Sequence, residues 1–106
     1  MRPGNLTEGA IAPATGERFD TLLRHRNLHI ERIVSSSDIQ ATECVQEQDE
    51  WVLLVQGTAT LDIGGELTSL KAGDHVFLPA KTPHTVTKVS QGALWLAIHL
   101  HPDTAA

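Results

Sequence analysis

Two groups of residues in this sequence have the types and spacing for chemistry. The first is Cys44-x-Gln46-x-x-x-Glu50-Trp51, which runs on to Gly57. On one strand, positions 44 and 46 point to the same face, because strand side chains alternate. Glu50 returns four residues later, where the chain re-enters a strand, so a thiol, an amide and a carboxylate could converge inside a barrel. The second group is Gly73-x5-Pro79-x4-His84, in which turn formers deliver an imidazole to the start of a strand. Other chemistries are absent. Gly64-Gly65 is followed by neither a Lys-Ser/Thr pair nor a helix, so it is no phosphate loop. There is no Gly-x-Ser-x-Gly elbow. Cys44 could act as a nucleophile only with a histidine in reach, and His84 is the one that could qualify.

A third group closes the sequence. His99 and His101 share a strand face with Trp95 and Ala97, while Leu94, Leu96, Ile98 and Leu100 make the other face. The aliphatic face is the natural core. A barrel with a polar cavity would instead turn the Trp-and-His face inward, and His99 would then be a candidate acid or base. Both orientations stay open at this point. His25, His29 and His75 have no partner spacing and read as surface residues. Lys81 and Lys88 could guide an anionic ligand toward a cavity mouth.

These residues must be positioned by a small body. The chain has 106 residues, is 41% hydrophobic and 20% charged, and fits one domain. Its formal charge of −5 makes it a poor nucleic-acid binder, since phosphate contacts need clustered Lys and Arg. One cysteine excludes an internal disulfide. No apolar run is long enough to span a membrane. The first residues lack a signal-peptide pattern, so a cytoplasmic protein is expected.

Residues 1–27 read as an arm, with a short helical turn over 17–25 that groups Phe19, Leu22 and Leu23. From Leu28 the pattern turns to period two. Strands are expected over 28–34, 41–46, 51–55, 58–63, 66–70, 75–78, 84–89 and 93–101, with Gly64-Gly65 closing a hairpin. Short strands at near-regular spacing predict an all-β sandwich or barrel over 28–102, followed by a tail at 103–106. Trp51, Leu53 and Val55 alternate with Val52 and Leu54. The outward set needs a cover, which predicts a homodimer or a cover by the arm.

From about Ile30 to Leu100 the sequence resembles the cupin superfamily. Glu50-x6-Gly57 fits the end of the first family motif, and Gly73, Pro79 and His84 fit the second. Cys44 and Gln46 stand at the two histidine positions of the first motif, whose upstream glycine is missing. Lys81 and Lys88 replace a glycine and an asparagine of the second. The Gln-x-x-x-Glu-Trp-Val-Leu stretch, with Trp-Leu-Ala-Ile-His near the C-terminus, looks like a group of small single-domain bacterial cupins. Some of these are loosely called mannose-6-phosphate-isomerase-like.

The resemblance implies a double-stranded β-helix, a jelly-roll-like barrel, with a divalent metal ion (Zn, Fe, Mn or Ni) inside it. The metal positions map onto Cys44, Gln46, Glu50 and His84. A set including the thiolate would favour zinc or iron; an oxygen and nitrogen set with water would suit a harder ion. Four ligands would close the site, and three would leave a position for substrate. The implied function is action on, or binding of, a small polar molecule such as a sugar, sugar phosphate or organic acid. A metal-dependent isomerase or oxygenase is the enzymatic form. A non-catalytic binding or sensor module, with or without metal, is the alternative.

Overall fold

The computed structural model of the chain describes residues 1–103. The end of the expected tail, 104–106, lies outside the described residues. Eight strands follow in order: β1 (Glu17–His25), β2 (Leu28–Ser35), β3 (Asp49–Gln56), β4 (Thr58–Ile63), β5 (Glu66–Lys71), β6 (His75–Leu78), β7 (His84–Val89) and β8 (Ala93–Leu100). They form a five-stranded sheet, β1-β2-β8-β3-β6, and a three-stranded sheet, β5-β4-β7. Every pairing is antiparallel. The all-β barrel expected from the alternating pattern is therefore what the chain forms. Among the described residues, no helix is long and apolar enough to cross a membrane.

Two segments depart from the sequence reading. The expected helical turn over 17–25 is strand β1, so the barrel begins at Glu17 and not at Leu28. The cause is a bulge: the register with β2 shifts between Thr21 and Leu23, leaving Leu22 without a partner. The extra residue breaks the alternation and gives Phe19, Leu22 and Leu23 a spacing that mimics a helix. The expected strand over 41–46 reduces to one bridge, in which Cys44 and His84 exchange two backbone hydrogen bonds of 2.8 and 3.0 Å. Residues 41–45 are exposed, so this segment has no buried face to drive a longer ladder.

The apolar core lies between the sheets, with Val52 and Leu54 of β3, Ala59 and Leu61 of β4, and Trp95 and Ala97 of β8 among its members. β8 therefore turns its Trp-and-His face inward. Gly57 carries the chain from the first sheet to the second. Its φ is +94°, and a Cβ there would lie 2.6 Å from Ser90 Oγ and 3.1 Å from Ala93. Both the backbone angle and the space exclude a side chain. Gly64 and Gly65, at φ +59° and +92°, close the β4–β5 hairpin as the sequence predicted.

The outer face of the large sheet carries a closed polar cluster. Arg32 on β2 is buried and directs Nε and Nη2 to Asp20 Oδ2, at 3.0 and 2.8 Å. Its Nη1 donates to the carbonyls of Leu6 and Glu8, at 3.0 and 2.7 Å. The N-terminal arm is thereby pinned across the sheet. Beside it, Trp51 and Leu53 are only half-buried, and Phe77 on β6 is 58% exposed.

Candidate functional site

A cavity of about 760 Å³ opens between the sheets. The large sheet supplies Glu17 and Phe19 from β1, Glu31 and Ile33 from β2, Glu50 and Val52 from β3, and Trp95 and His99 from β8. The members of each pair are two residues apart, or four for Trp95 and His99, so the strand period aims both inward. The small sheet contributes Leu61, His84 and Val86, and the irregular segment before β3 forms a rim with Asp38, Thr42, Cys44 and Gln46. All four positions that the family resemblance assigned to a metal therefore line one cavity.

Their geometry differs from a gathered ligand set. Gln46 Nε2 donates to Glu50 Oε1 at 2.9 Å, which leaves the Gln46 carbonyl oxygen free. His84 Nδ1 donates to the Thr82 carbonyl at 3.1 Å. A carbonyl only accepts, so Nδ1 holds the proton and the Nε2 of a neutral ring keeps its lone pair. The Cys44 sulfur donates to the Thr42 carbonyl at 3.7 Å. Partial burial, with the charges of Glu17 and Glu50 behind it, pushes this thiol above its usual range. Both effects disfavour the thiolate at position 44 in the metal-free protein. Glu50, Gln46 and His84 retain donor atoms that suit a divalent ion.

A different set is drawn together. His99 and Glu31, 5% and 9% exposed, are joined by a 2.9 Å hydrogen bond from Nε2 to Oε1. Glu50 Oε2 lies 3.9 Å from the same nitrogen. The Glu31 hydrogen bond raises the His99 pKa against desolvation, with the Glu50 and Glu31 charges adding to it. Gln48 Nε2 lies 3.3 Å from His99 Nδ1. Its amide can donate to a neutral ring or, turned over, accept from a protonated one.

His29 faces His99 directly across the β2–β8 ladder, their rings stacked at 5.5 Å. It is therefore not the isolated surface residue that its spacing suggested. Desolvation, and then the Arg24 charge, lower its pKa from the usual histidine value. The ligand atoms of His29, Glu31 and His99 all lie within 4.8 Å of one another. Among the described residues, no other group of three His, Cys, Asp or Glu meets that limit. His29-x-Glu31, opposite the His99-x-His101 already noted on the neighbouring strand, is the signal that sequence reading passed over.

The cavity is acidic. Glu17, Glu31, Asp38 and Glu50 line it, and neither lysine nor arginine does. The Glu17 pKa is raised, first by burial and then by the Glu31 and Glu50 charges, against a hydrogen bond from Ser35 Oγ. Ser35 in turn accepts from Trp95 Nε1 at 3.0 Å. Lys81, expected to steer anions, is 74% exposed beside Glu47 and does not line the cavity; nor does Lys88.

Comparison with known proteins agrees with the fold. A provisionally assigned mannose-6-phosphate isomerase from Ralstonia eutropha is 30% identical, with a TM-score of 0.86 over 96% of this chain and 100% of its own. A Streptococcus pyogenes protein of unknown function is 19% identical, with a TM-score of 0.82 over 97% and 90%. An RmlC-like cupin from Shewanella frigidimarina is 16% identical, with a TM-score of 0.75 over 86% and 81%. No curated protein sequence matches. The cupin domain profile matches residues 38–100, from the cavity rim to the last residue of β8. The chain belongs to the cupin domain family.

Proposed function

We propose that this cupin holds a divalent cation in its barrel and binds a small, oxygen-rich, uncharged molecule of the sugar or polyol class in the same cavity. One observation carries the reading: acidic residues line the cavity and no lysine or arginine offsets them. Crowded carboxylates repel one another, and the Glu31 and Glu50 charges add to the burial that raises the Glu17 pKa. A divalent cation relieves it. Family resemblance points to Glu50, Gln46 and His84 as its holders, and their free donor atoms are compatible with that. Once bound, such an ion supplies Lewis-acid polarisation of a ligand oxygen. The protein's own groups supply the rest: carboxylates accept from ligand hydroxyls, Trp95 and Phe19 offer apolar ring surface, and His99 is placed to move a proton.

The lining also ranks the expected ligands. A sugar phosphate or an organic acid would meet a lining in which carboxylates outnumber the cationic groups unless the cation were present. The Ralstonia eutropha protein makes mannose 6-phosphate a fair test compound, but the cavity offers its phosphate no lysine or arginine. A second reading, a metal-free binding module, has its own support: no buried side-chain nitrogen or oxygen of the described residues lacks a hydrogen-bond partner.

The test is metal analysis of protein purified without affinity-tag nickel, then thermal-shift and turnover assays with mannose, mannose 6-phosphate and citrate, with and without EDTA. About one ion per chain is expected, with mannose-type ligands raising Tm and the anions acting only on the metal-loaded protein. Metal-free protein stabilised by anions in EDTA would overturn the reading. Product formation would make the protein an enzyme, and binding alone would make it a sensor.

A further inference from the structure

We propose that the cation sits at His29, Glu31 and His99, on β2 and β8, and not at the positions on β3 and β7 that family resemblance assigns. The inference rests on the cation reading of the cavity and moves the ion's seat. The argument is geometric. The three side chains leave the same inward face of two paired strands: His29 and Glu31 are two residues apart, and His29 is directly opposite His99. Their ligand atoms already lie within 4.8 Å of one another. Donors bound at about 2.1 Å to a common ion lie roughly 3 to 3.5 Å apart, so small side-chain rotations complete the site.

The surroundings orient both rings. His29 Nε2 lies 3.0 Å from the Thr21 hydroxyl, which can accept its proton and leave Nδ1 for the ion. His99 Nδ1 faces the Gln48 amide. An ion between His99 and Glu31 would leave the ring one proton, on Nδ1, whose hydrogen bond the Gln48 side-chain oxygen would accept; the Nε2 proton of a protonated ring would pass to solvent. Each imidazole thus has a partner that fixes its metal-binding tautomer, as supported metal sites require. Glu50 adds negative charge 3.9 Å from His99 Nε2, against two cations on the His29 side: Arg24, paired across from it on β1, and Arg26, which lines the adjoining pocket. His29 lines a second pocket, and Glu31 and His99 line the main cavity, so the proposed site lies between the two. Two imidazoles and one carboxylate favour a borderline transition ion such as Zn²⁺ or Co²⁺ over Mg²⁺.

The experiment titrates Co²⁺, followed by visible absorption, into metal-free protein, with Zn²⁺ and Mg²⁺ as competitors. One equivalent is expected to bind, displaced by Zn²⁺ and not by Mg²⁺. His29→Gln and Glu31→Gln should each weaken Co²⁺ by at least about tenfold, and Thr21→Val should weaken it less while keeping the spectrum. Circular dichroism in EDTA checks that the variants fold. If one does not, Zn²⁺-induced shifts of the imidazole NMR signals of wild-type protein decide: shifts at His29 and His99 support the site, and shifts confined to His84 overturn it. Co²⁺ retained by folded His29→Gln but lost by His84→Gln would overturn the location and leave the cation reading standing. Absence of any Co²⁺ or Zn²⁺ binding would end both.

Discussion

The two faces of strand β2 solve opposite electrostatic problems with neighbouring residues. Outward, Arg32 has its charge matched by Asp20 and its remaining donors taken by two carbonyls of the arm. Inward, Glu31 shares one imidazole with Glu50, and Glu17 stands close enough to feel both. The first cluster is closed; adding any ion would disturb it. The second carries more negative charge than the protein neutralises. A buried polar cluster whose partners all come from the chain stabilises the fold, whereas an unbalanced one invites something from solution.

If the outer cluster is structural, breaking it should have the largest effect. Arg32→Ala is expected to cost on the order of 3 kcal/mol, since it leaves two arm carbonyls without their donor and Asp20 with the Arg18 hydrogen bond alone. Urea denaturation measures this, and faster proteolysis within the first 16 residues would show the arm released. Unchanged stability would remove one side of the contrast.

The inner pair should respond to pH as the outer one does not. The folded pKa of His99 is raised, so its ion pair contributes fully below the unfolded histidine value near 6.5. That contribution fades as pH rises through the folded pKa. In EDTA, Glu31→Gln is therefore expected to cost about 1 to 2 kcal/mol at pH 5.5 and little at pH 9, read as Tm against pH. A pH-independent loss would mean that packing, not charge, holds His99.

The smallest effect has the most telling sign. Glu17 has a raised folded pKa, so the metal-free fold loses stability as pH climbs past the unfolded value. Glu17→Gln should then stabilise metal-free protein at pH 7 by up to about 1 kcal/mol, while Asp20→Asn, on the outer face, should destabilise it. Parallel Tm measurements decide, and equal signs would erase the distinction drawn here.

Most of the barrel was legible because its strands are half-buried and keep the two-residue period. β1 was hidden by one extra residue at Leu22. The stretch at 41–46 looked like a strand because local alternation does not reveal whether a partner exists. Glu50 and His84 were found through family spacing. His29 and Glu31 were passed over because they matter only through their pairing with β8, and register between distant strands is not written in either strand alone. For the same reason the inward face of β8 stayed open: its aliphatic side looked like the core, yet it packs the outside of the sheet while Trp95 and His99 line the cavity.

Gly57 sits outside all of this chemistry, and its situation bears on how such chains diverge. The rim takes a thiol and an amide, at Cys44 and Gln46, where the family motif has imidazoles. The crossing takes no added atom, because Ser90 and Ala93 already crowd it. The glycine thus answers to the shape of the barrel, and carrying it commits a chain to that shape and to no particular reaction.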